Sequence, residues 1–381
     1  MTGQAPPTAH ATVEVQTCNT YVRCGGRPTE PGHRIRRCTI TGDDQRTLAA
    51  VGEFGLIAEL PGWLPRSPRT LVGIGDDAAV LATPDGRVVA TTDFLLEGQH
   101  FRRDTSSACD VGHKAAARSL ADVAAMGAVP VALLVALAAP ADLPVCWVRE
   151  LAAGLAAECA RVPGASVIGG DTARAAGVML AVTGLGDLAG RAPVLRSGAA
   201  PGDVVAVAGP LGHAAAGLAL LSAGITEGPL VTAQRRPAPP YDAGPQAADL
   251  GATAMIDISD GLLADLGHIA DSSGVLIDLS RAALSPGDPL LAAAHTVAAP
   301  RRHVPFDGTR PASPPAPTLT PQEATLDWVL TGGEDHSLAA TFPPGVRLPS
   351  RWTVIGTVGP GQGVVVDSQP WEHAAGWDHF A

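Results

Sequence analysis

Lysine is nearly missing from this sequence: of 26 lysine and arginine residues, Lys114 is the only lysine. It is followed by Ala115, so no G-x-x-x-x-G-K-[ST] segment exists and the P-loop route to phosphate is closed. Positive charge is short overall. The formal net charge of -11 argues against nucleic-acid backbones and anionic membrane surfaces as partners. It leaves a phosphate ligand open, provided metal ions mediate the contact. Cysteine is sparse and poorly spaced. Cys18, Cys24 and Cys38 do not form the C-x-x-C pairs that favour zinc. With no secretory segment in view, Cys109, Cys146 and Cys159 complete a set of six that a chain this size does not need as disulfide staples. No long hydrophobic run is present either. The best stretch, "VPVALLVALAAPADLPV", is broken by prolines and Asp142, which excludes it as a membrane span.

What is there is globular. Hydrophobic residues make up 46% against 17% charged, and 381 residues suffice for two domains with real cores. Residues 1–48 are rich in Pro, Thr, Arg and Gly without periodicity. They read as a disordered extension or as a start placed too early, with order beginning near "GEFGLIAEL". The turn-rich segment 188–200 separates a first domain, 49–190, from a second, 191–381. Seven prolines from Pro300 to Pro321 mark residues 285–325 as a long loop.

Three segments share one pattern, an apolar strand ending in carboxylates: "LVGIGDDAAVL", "SVIGGDTAR" and "AMIDISDG". "VVATTDFLLEGQHF" is a fourth variant. Strands that lead into glycine and helix-like segments indicate an α/β architecture, with ligands where strand ends meet turns. Two helices are legible. One runs from about Val111 to Met126, with Asp110 as N-cap and Asp122 inside an almost wholly apolar pattern. The other runs from about Gly261 to Ser272 and is closed by Gly274.

The acidic residues at these positions are Asp76, Asp77, Asp93, Asp122, Asp171, Asp257 and Asp260, joined by Glu334 and Asp335 of "GGEDH". Singly, most have a bland explanation. An Asp before a helix is commonly an N-cap, and G-G-D occurs in tight turns. Asp122 has no capping role, and carboxylates in apolar surroundings are costly without a partner. Few arginines lie in these motifs. A divalent cation is therefore the economical partner, since Mg²⁺ takes oxygen ligands from one or two carboxylates plus substrate phosphates. That donor set suits phosphoryl transfer. His100 and Arg196 are either surface residues or ligand contacts, Arg196 being suited to phosphate. Trp377, near the end of the chain, either packs or covers a ring-bearing substrate.

In their order, "GEFGLI", "GIGDDAAVL", "TTDFLLEGQHF", "LADVAAMGAVP", "VIGGDTAR", "RSGAAPGD", "AMIDISDGLLADLGHIA", "LTGGEDHSL" and "GWDHF" resemble the motifs of thiamine-monophosphate kinases. That family is similar to aminoimidazole ribonucleotide synthetase. The resemblance covers residues 52 to 381 except 285–325. It implies a two-domain α/β (α+β) protomer whose N-terminal sheet domain pairs in a homodimer, beside a C-terminal α/β domain. It implies a cytoplasmic enzyme that uses ATP and several Mg²⁺ ions to convert thiamine monophosphate to thiamine diphosphate by direct in-line transfer. Carried over by position, Asp77, Thr91, Thr92, Asp93, Asp122, Asp171, Asp257 and Asp260 look like metal ligands. Gly170, Asp171, Arg196 and Ser259 look like ATP contacts, and His100, Glu334 and Trp377 like contacts to the thiamine phosphate. Three departures stand out. Ser119-Leu120-Ala121-Asp122 replaces the usual Asn-Leu-Ser-Asp, His336 replaces a tyrosine, and Trp377 stands where tyrosine is frequent.

The competing readings are a selenophosphate synthetase, a hydrogenase maturation protein or a purine-pathway synthetase of the same superfamily, and an inactive nucleotide-binding regulator. Cys24-Gly25-Gly26 is a faint echo of the first. Intact carboxylates at every motif argue against the last.

Overall fold

The structure is a computed structural model in which residues 46–74, 79–284, 286–298, 319–371 and 376 are described, Glu53 and Phe54 by backbone only. Asp76, Asp77 and Trp377 lie outside the described residues, as do residues 1–45 with Cys18, Cys24 and Cys38.

Helix α1 (Leu48–Trp63) begins earlier than "GEFGLIAEL" suggests. The Thr47 side chain caps it by accepting from Ala50 N, and Leu48 N is bonded to Leu143 O at 3.0 Å. Strands β1 (Thr70–Val72) and β2 (Val80–Leu81) form a small antiparallel pair. There follow β3 (Val89–Leu96), α2 (Ala108–Ala125), β4 (Val129–Ala139), α3 (Val145–Cys159), β5 (Ser166–Arg174) and β6 (Met179–Asp187). These four strands form a sheet in the order β3-β6-β4-β5, with only β4 and β5 parallel.

The connection 188–203 leads into the second sheet. Its elements are β7 (Val204–Ala208), α4 (His213–Ser222), α5 (Pro229–Arg235), α6 (Ala243–Asp249), β8 (Ala254–Ile258), α7 (Leu262–Ser273), β9 (Leu276–Leu279), α8 (Asp288–Ala298), α9 (Pro321–Thr331), β10 (Ser337–Phe342), β11 (Trp352–Gly359) and β12 (Gly363–Val366). The strand order is β12-β9-β11-β7-β10-β8, antiparallel except for β12 on β9.

Helix α2 positions the site. It packs on β3 and β6 of the first sheet and touches β8 and β10 of the second. Its Ala116, Ala117, Leu120, Ala121 and Ala124 are fully buried, and Ala116, Leu120 and Ala124 share a hydrophobic cluster with residues of both sheets, while the outer face of the second sheet has a core of its own. Small side chains let the helix lie this close. At its crossing with α3, a Cβ on Gly112 would sit 2.2 Å from Leu151 O, and one on Gly154 would sit 2.1 Å from Cys109 O. Only glycine fits either position.

Two expected boundaries need correction. Asp110 is not the N-cap of α2. Ser107 is, and Asp110 returns the bond to Ser107 N in a capping box, a pattern that shifts the start of α2 by a turn. Residues 285–325 are not one loop. Asp288–Ala298 is helical, burying Leu290, Ala293 and Ala294, and α9 begins at Pro321 under a Thr320–Glu323 capping box. Proline is at home in a first helical turn, so Pro289 and Pro321 open helices where their number suggested irregular chain. Residues 299–318 lie outside the described part. Helix α7 runs from Leu262 to Ser273 and ends on Gly274 in the left-handed region. Among the described residues, no helix is long and apolar enough to cross a membrane.

Candidate active site

Of the expected carboxylates, Asp93, Asp122, Asp257 and Asp260 lie around α2 between the two sheets. Strand β3 alternates, so Thr91 and Asp93 project toward α2. The Thr91 hydroxyl donates to Asp122 Oδ2 at 2.6 Å, and the Ser119 hydroxyl donates to Asp93 Oδ2 at 2.8 Å and contacts Val182 O at 3.1 Å. Ser119 therefore still supplies a donor in its departing motif. Asp257 ends β8, 5% exposed, with His336 Nδ1 3.0 Å from its Oδ2. Among the described residues, Nε2 of that imidazole has no partner. Asp260 does not cap α7. The turn it begins is held by Asp265, whose Oδ2 accepts from Asp260 N at 3.1 Å and Gly261 N at 3.0 Å. The "GGEDH" segment lies alongside: Glu334 N donates to Ser259 O and His336 N to Ile258 O, each at 2.8 Å.

The electrostatics match this crowding. Burial pushes the Asp122 carboxyl up to about 8, with Asp257 and Asp93 adding to the rise. Burial likewise raises Asp265 to about 8, with further contributions from Asp257 and Asp260. Like charges this close disfavour full ionisation unless a cation joins them. Two resident cations partly answer, although few arginines lie in the acidic motifs. Lys114 Nζ is 3.1 Å from Glu334 Oε2. Arg118 lies 3.8 Å from both Glu334 Oε1 and Asp93 Oδ1, with its Nε unpartnered among the described residues. Burial raises Glu334, but Lys114 and Arg118 more than offset it and hold that carboxyl below its ordinary value. The signal for these cations was present in the sequence. Lys114, Arg118 and Asp122 are spaced four apart and share one face of α2.

Other expected residues fall elsewhere. His100 sits in the turn after β3, where its Nδ1 accepts from Leu96 N at 3.0 Å and its carbonyl lies 3.2 Å from Lys114 Nζ. Asp335 turns away from the cleft to cap α4, accepting from Gly212 N at 2.5 Å and Ala214 N at 2.8 Å. Thr92 and Asp171 lie on the opposite face of the first sheet. Asp171 is in register, through Ala136 and Ala181, with exposed Phe94, and its Oδ1 is taken up by Thr172 N at 2.8 Å. Gly170 has a packing reason of its own, since a Cβ there would sit 1.8 Å from Val135 O. The exposed Arg196 sits at the other end of β8 and α7 from Ser259 and Asp260. Leu195 O accepts from Met255 N, and Arg196 O accepts from the Ser273 hydroxyl at 3.2 Å.

The two sheets, with carboxylates gathered around α2 between them, place the chain among AIR synthase-related proteins: the family model "AIR synthase related protein, N-terminal domain" matches residues 75–188. The thiamine-monophosphate kinase of Mycobacterium tuberculosis is 45% identical over 339 residues, covering 88% of this chain and 93% of its own. The solved structure of AaThiL complexed with AMPPCP and TMP superposes with a TM-score of 0.66 at 32% identity, over 87% of this chain and 97% of its own. The Escherichia coli hydrogenase maturation protein HypE shares the fold alone, with a TM-score of 0.58 at 17% identity over 85% of this chain and 95% of its own. The chain belongs to the thiamine-monophosphate kinase family.

Proposed function

We propose that this protein transfers the γ-phosphoryl group of ATP to thiamine monophosphate, giving thiamine diphosphate and ADP. The observation that carries the reading is that Asp93, Asp122 and Asp257, from β3, α2 and β8 and spread over one hundred and sixty residues of sequence, lie close enough to raise one another's charge cost beside α2. A terminal phosphate oxygen of thiamine monophosphate attacks the γ-phosphorus. The bond from that phosphorus to the β,γ-bridging oxygen breaks, and the electron pair leaves with ADP. No protein nucleophile or general base is required, and the chain's task is placement and charge.

Magnesium fits the donor set. Among the described residues, no group of three or more acidic, histidine or cysteine side chains is placed to hold a metal ion by itself, so an ion there would need phosphate oxygens as well. The oxygens present are hard carboxylate and hydroxyl donors whose charges repel one another, as suits an ion bound by one or two carboxylates plus phosphates. Asp93, Asp122, Asp257 and Asp260 would hold several such ions, with Asp77 and Thr91 as further ligands. When bound, magnesium supplies positive charge against the phosphate oxygens. Thr91, Ser119 and His336 hold Asp122, Asp93 and Asp257 in one orientation. Asp265 fixes the Asp260 turn. Gly170 and Ser259 would contact ATP, and His100, Glu334 and Trp377 the thiamine phosphate.

The face of the first sheet turned away from α2 exposes Phe94 (56%) and Met179 (37%). Exposed apolar side chains on a sheet face favour burial against a second copy, and we assign the homodimer contact there. A kinase of ATP and a thiamine phosphate belongs in the cytoplasm. The test is to incubate purified protein with ATP and Mg²⁺ against thiamine monophosphate, thiamine, selenide and a purine precursor. Thiamine diphosphate from the first alone is expected, and product only from another acceptor would remove the assignment.

A further inference from the structure

We propose that Lys114 is a positioning residue for the phosphate acceptor: it ties the Glu334 side chain to the backbone of His100 and so fixes the carboxylate that faces thiamine monophosphate. The inference rests on the function proposed above, but its geometry is independent of it. Lys114 lies on α2 at 2% exposure, and its ammonium reaches two groups from different halves of the chain, His100 O at 3.2 Å and Glu334 Oε2 at 3.1 Å. An ammonium buried this deeply persists only with a partner charge, and Glu334 is that charge. Glu334 is itself constrained. Its backbone sits at φ +69°, a left-handed conformation uncommon for a residue with a side chain, and its N–H is committed to Ser259 O. Its side chain is nonetheless 25% exposed, against 3% for Lys114. The carboxylate therefore has one side against Lys114, with Arg118 at 3.8 Å, and another open to solvent.

The choice of lysine is informative. Every other basic residue of this pair of types is arginine. A planar guanidinium reaches its partners in a fixed fork, whereas a compact ammonium directs three donors tetrahedrally and can bridge a carbonyl and a carboxylate in a tight space. Position 114 retains the residue that the rest of the chain has dispensed with.

If Lys114 acts through Glu334, the two substitutions are not additive in their effect on the acceptor. Lys114→Met should raise KM for thiamine monophosphate roughly tenfold, as loss of a charge-assisted hydrogen bond does, with KM for ATP within about twofold of wild type. Glu334→Gln should do the same, and the double variant should be no worse than Glu334→Gln alone. A Lys114→Met effect that repeats in full on the Glu334→Gln background would mean that Lys114 touches the acceptor independently, and would overturn the proposal. So would an unchanged acceptor KM.

Because the chain has a single lysine, wild-type protein labelled with [ε-¹³C]lysine gives one side-chain resonance, which needs no substitution to read. Thiamine monophosphate should shift it and ATP alone should leave it in place. A resonance that ignores the acceptor would contradict the proposal even if the variants do not fold. Wild-type turnover, measured in the same assay, separates failure of this inference from failure of the kinase assignment.

Discussion

Thr91 of β3 gives its hydroxyl hydrogen to Asp122 Oδ2 at 2.6 Å, fastening that carboxylate of α2 to the first sheet. A buried carboxylate raised to about 8 by burial and by two acidic neighbours would otherwise have little to fix its orientation. Thr91→Val keeps the shape and removes the donor. Loss of a hydrogen bond to a charged group is worth about 1.5–3 kcal/mol, which should lower kcat/KM for thiamine monophosphate roughly ten- to hundredfold. Steady-state kinetics check this, and an unchanged kcat/KM would make the bond incidental.

Asp265 carries a different expectation. Its Oδ2 accepts two backbone N–H groups while Asp257 and Asp260 disfavour its charge. Asp265→Asn preserves an oxygen acceptor and removes the repulsion, so the metal-free protein should melt no lower than wild type. Asp265→Ala strands two buried donors and should cost about 1–3 kcal/mol or more. Thermal melts of the two variants without metal settle the order. Asparagine melting as low as alanine would show that the charge itself is required.

Acid stability should depend on Glu158. This buried residue of α3 lies 2.9 Å from His113 Nδ1, accepts from the Tyr241 hydroxyl at 2.5 Å and pairs with Arg161. Burial alone would raise its carboxyl, but His113, Arg161 and Tyr241 outweigh that and hold it below the ordinary 4.5. A depressed folded value stabilises the protein above the unfolded pKa and loses that contribution as pH falls through the folded one. Wild-type stability should therefore decline below about pH 4.5 more steeply than that of Glu158→Gln. Denaturant unfolding between neutral and acid pH reads the slopes, and parallel slopes would remove Glu158 from the account.

Phe94 and Met179 test the dimer. Sedimentation of the wild type should give twice the 38.5 kDa chain mass, and Phe94→Asp together with Met179→Asp should give the single mass. A monomeric wild type would end that assignment.

The sequence was most legible where one local rule decided the outcome. Asp257 and Asp260 could be placed because an apolar strand and an apolar helical pattern flank them, and α7 starts within a residue of its expected position. Asp122 stood out because no local role explains an acid inside an apolar helix. The alternation of β3 could have divided Thr91 and Asp93 from Thr92, since a period of two leaves no choice of face. The partner of Lys114 was hidden for a different reason. Lys114 and Glu334 are 220 residues apart, and only the packing of α2 between the sheets brings them together. Helix α8 was obscured because the run of prolines after it, from Pro300, extended the expected loop back over it, although its own Pro289 sits in the first turn, where proline is at home.

The most direct measurement compares thiamine diphosphate formation by wild type and Asp122→Asn across a Mg²⁺ series, with Mn²⁺ binding followed by electron paramagnetic resonance. Charge placed by these carboxylates should make turnover strictly Mg²⁺-dependent. The substitution should lower kcat by a factor on the order of 10³ or more and weaken Mn²⁺ binding together with it. Near-normal turnover and unaltered Mn²⁺ binding in Asp122→Asn would show that the converging acids are structural and that the phosphates are held elsewhere.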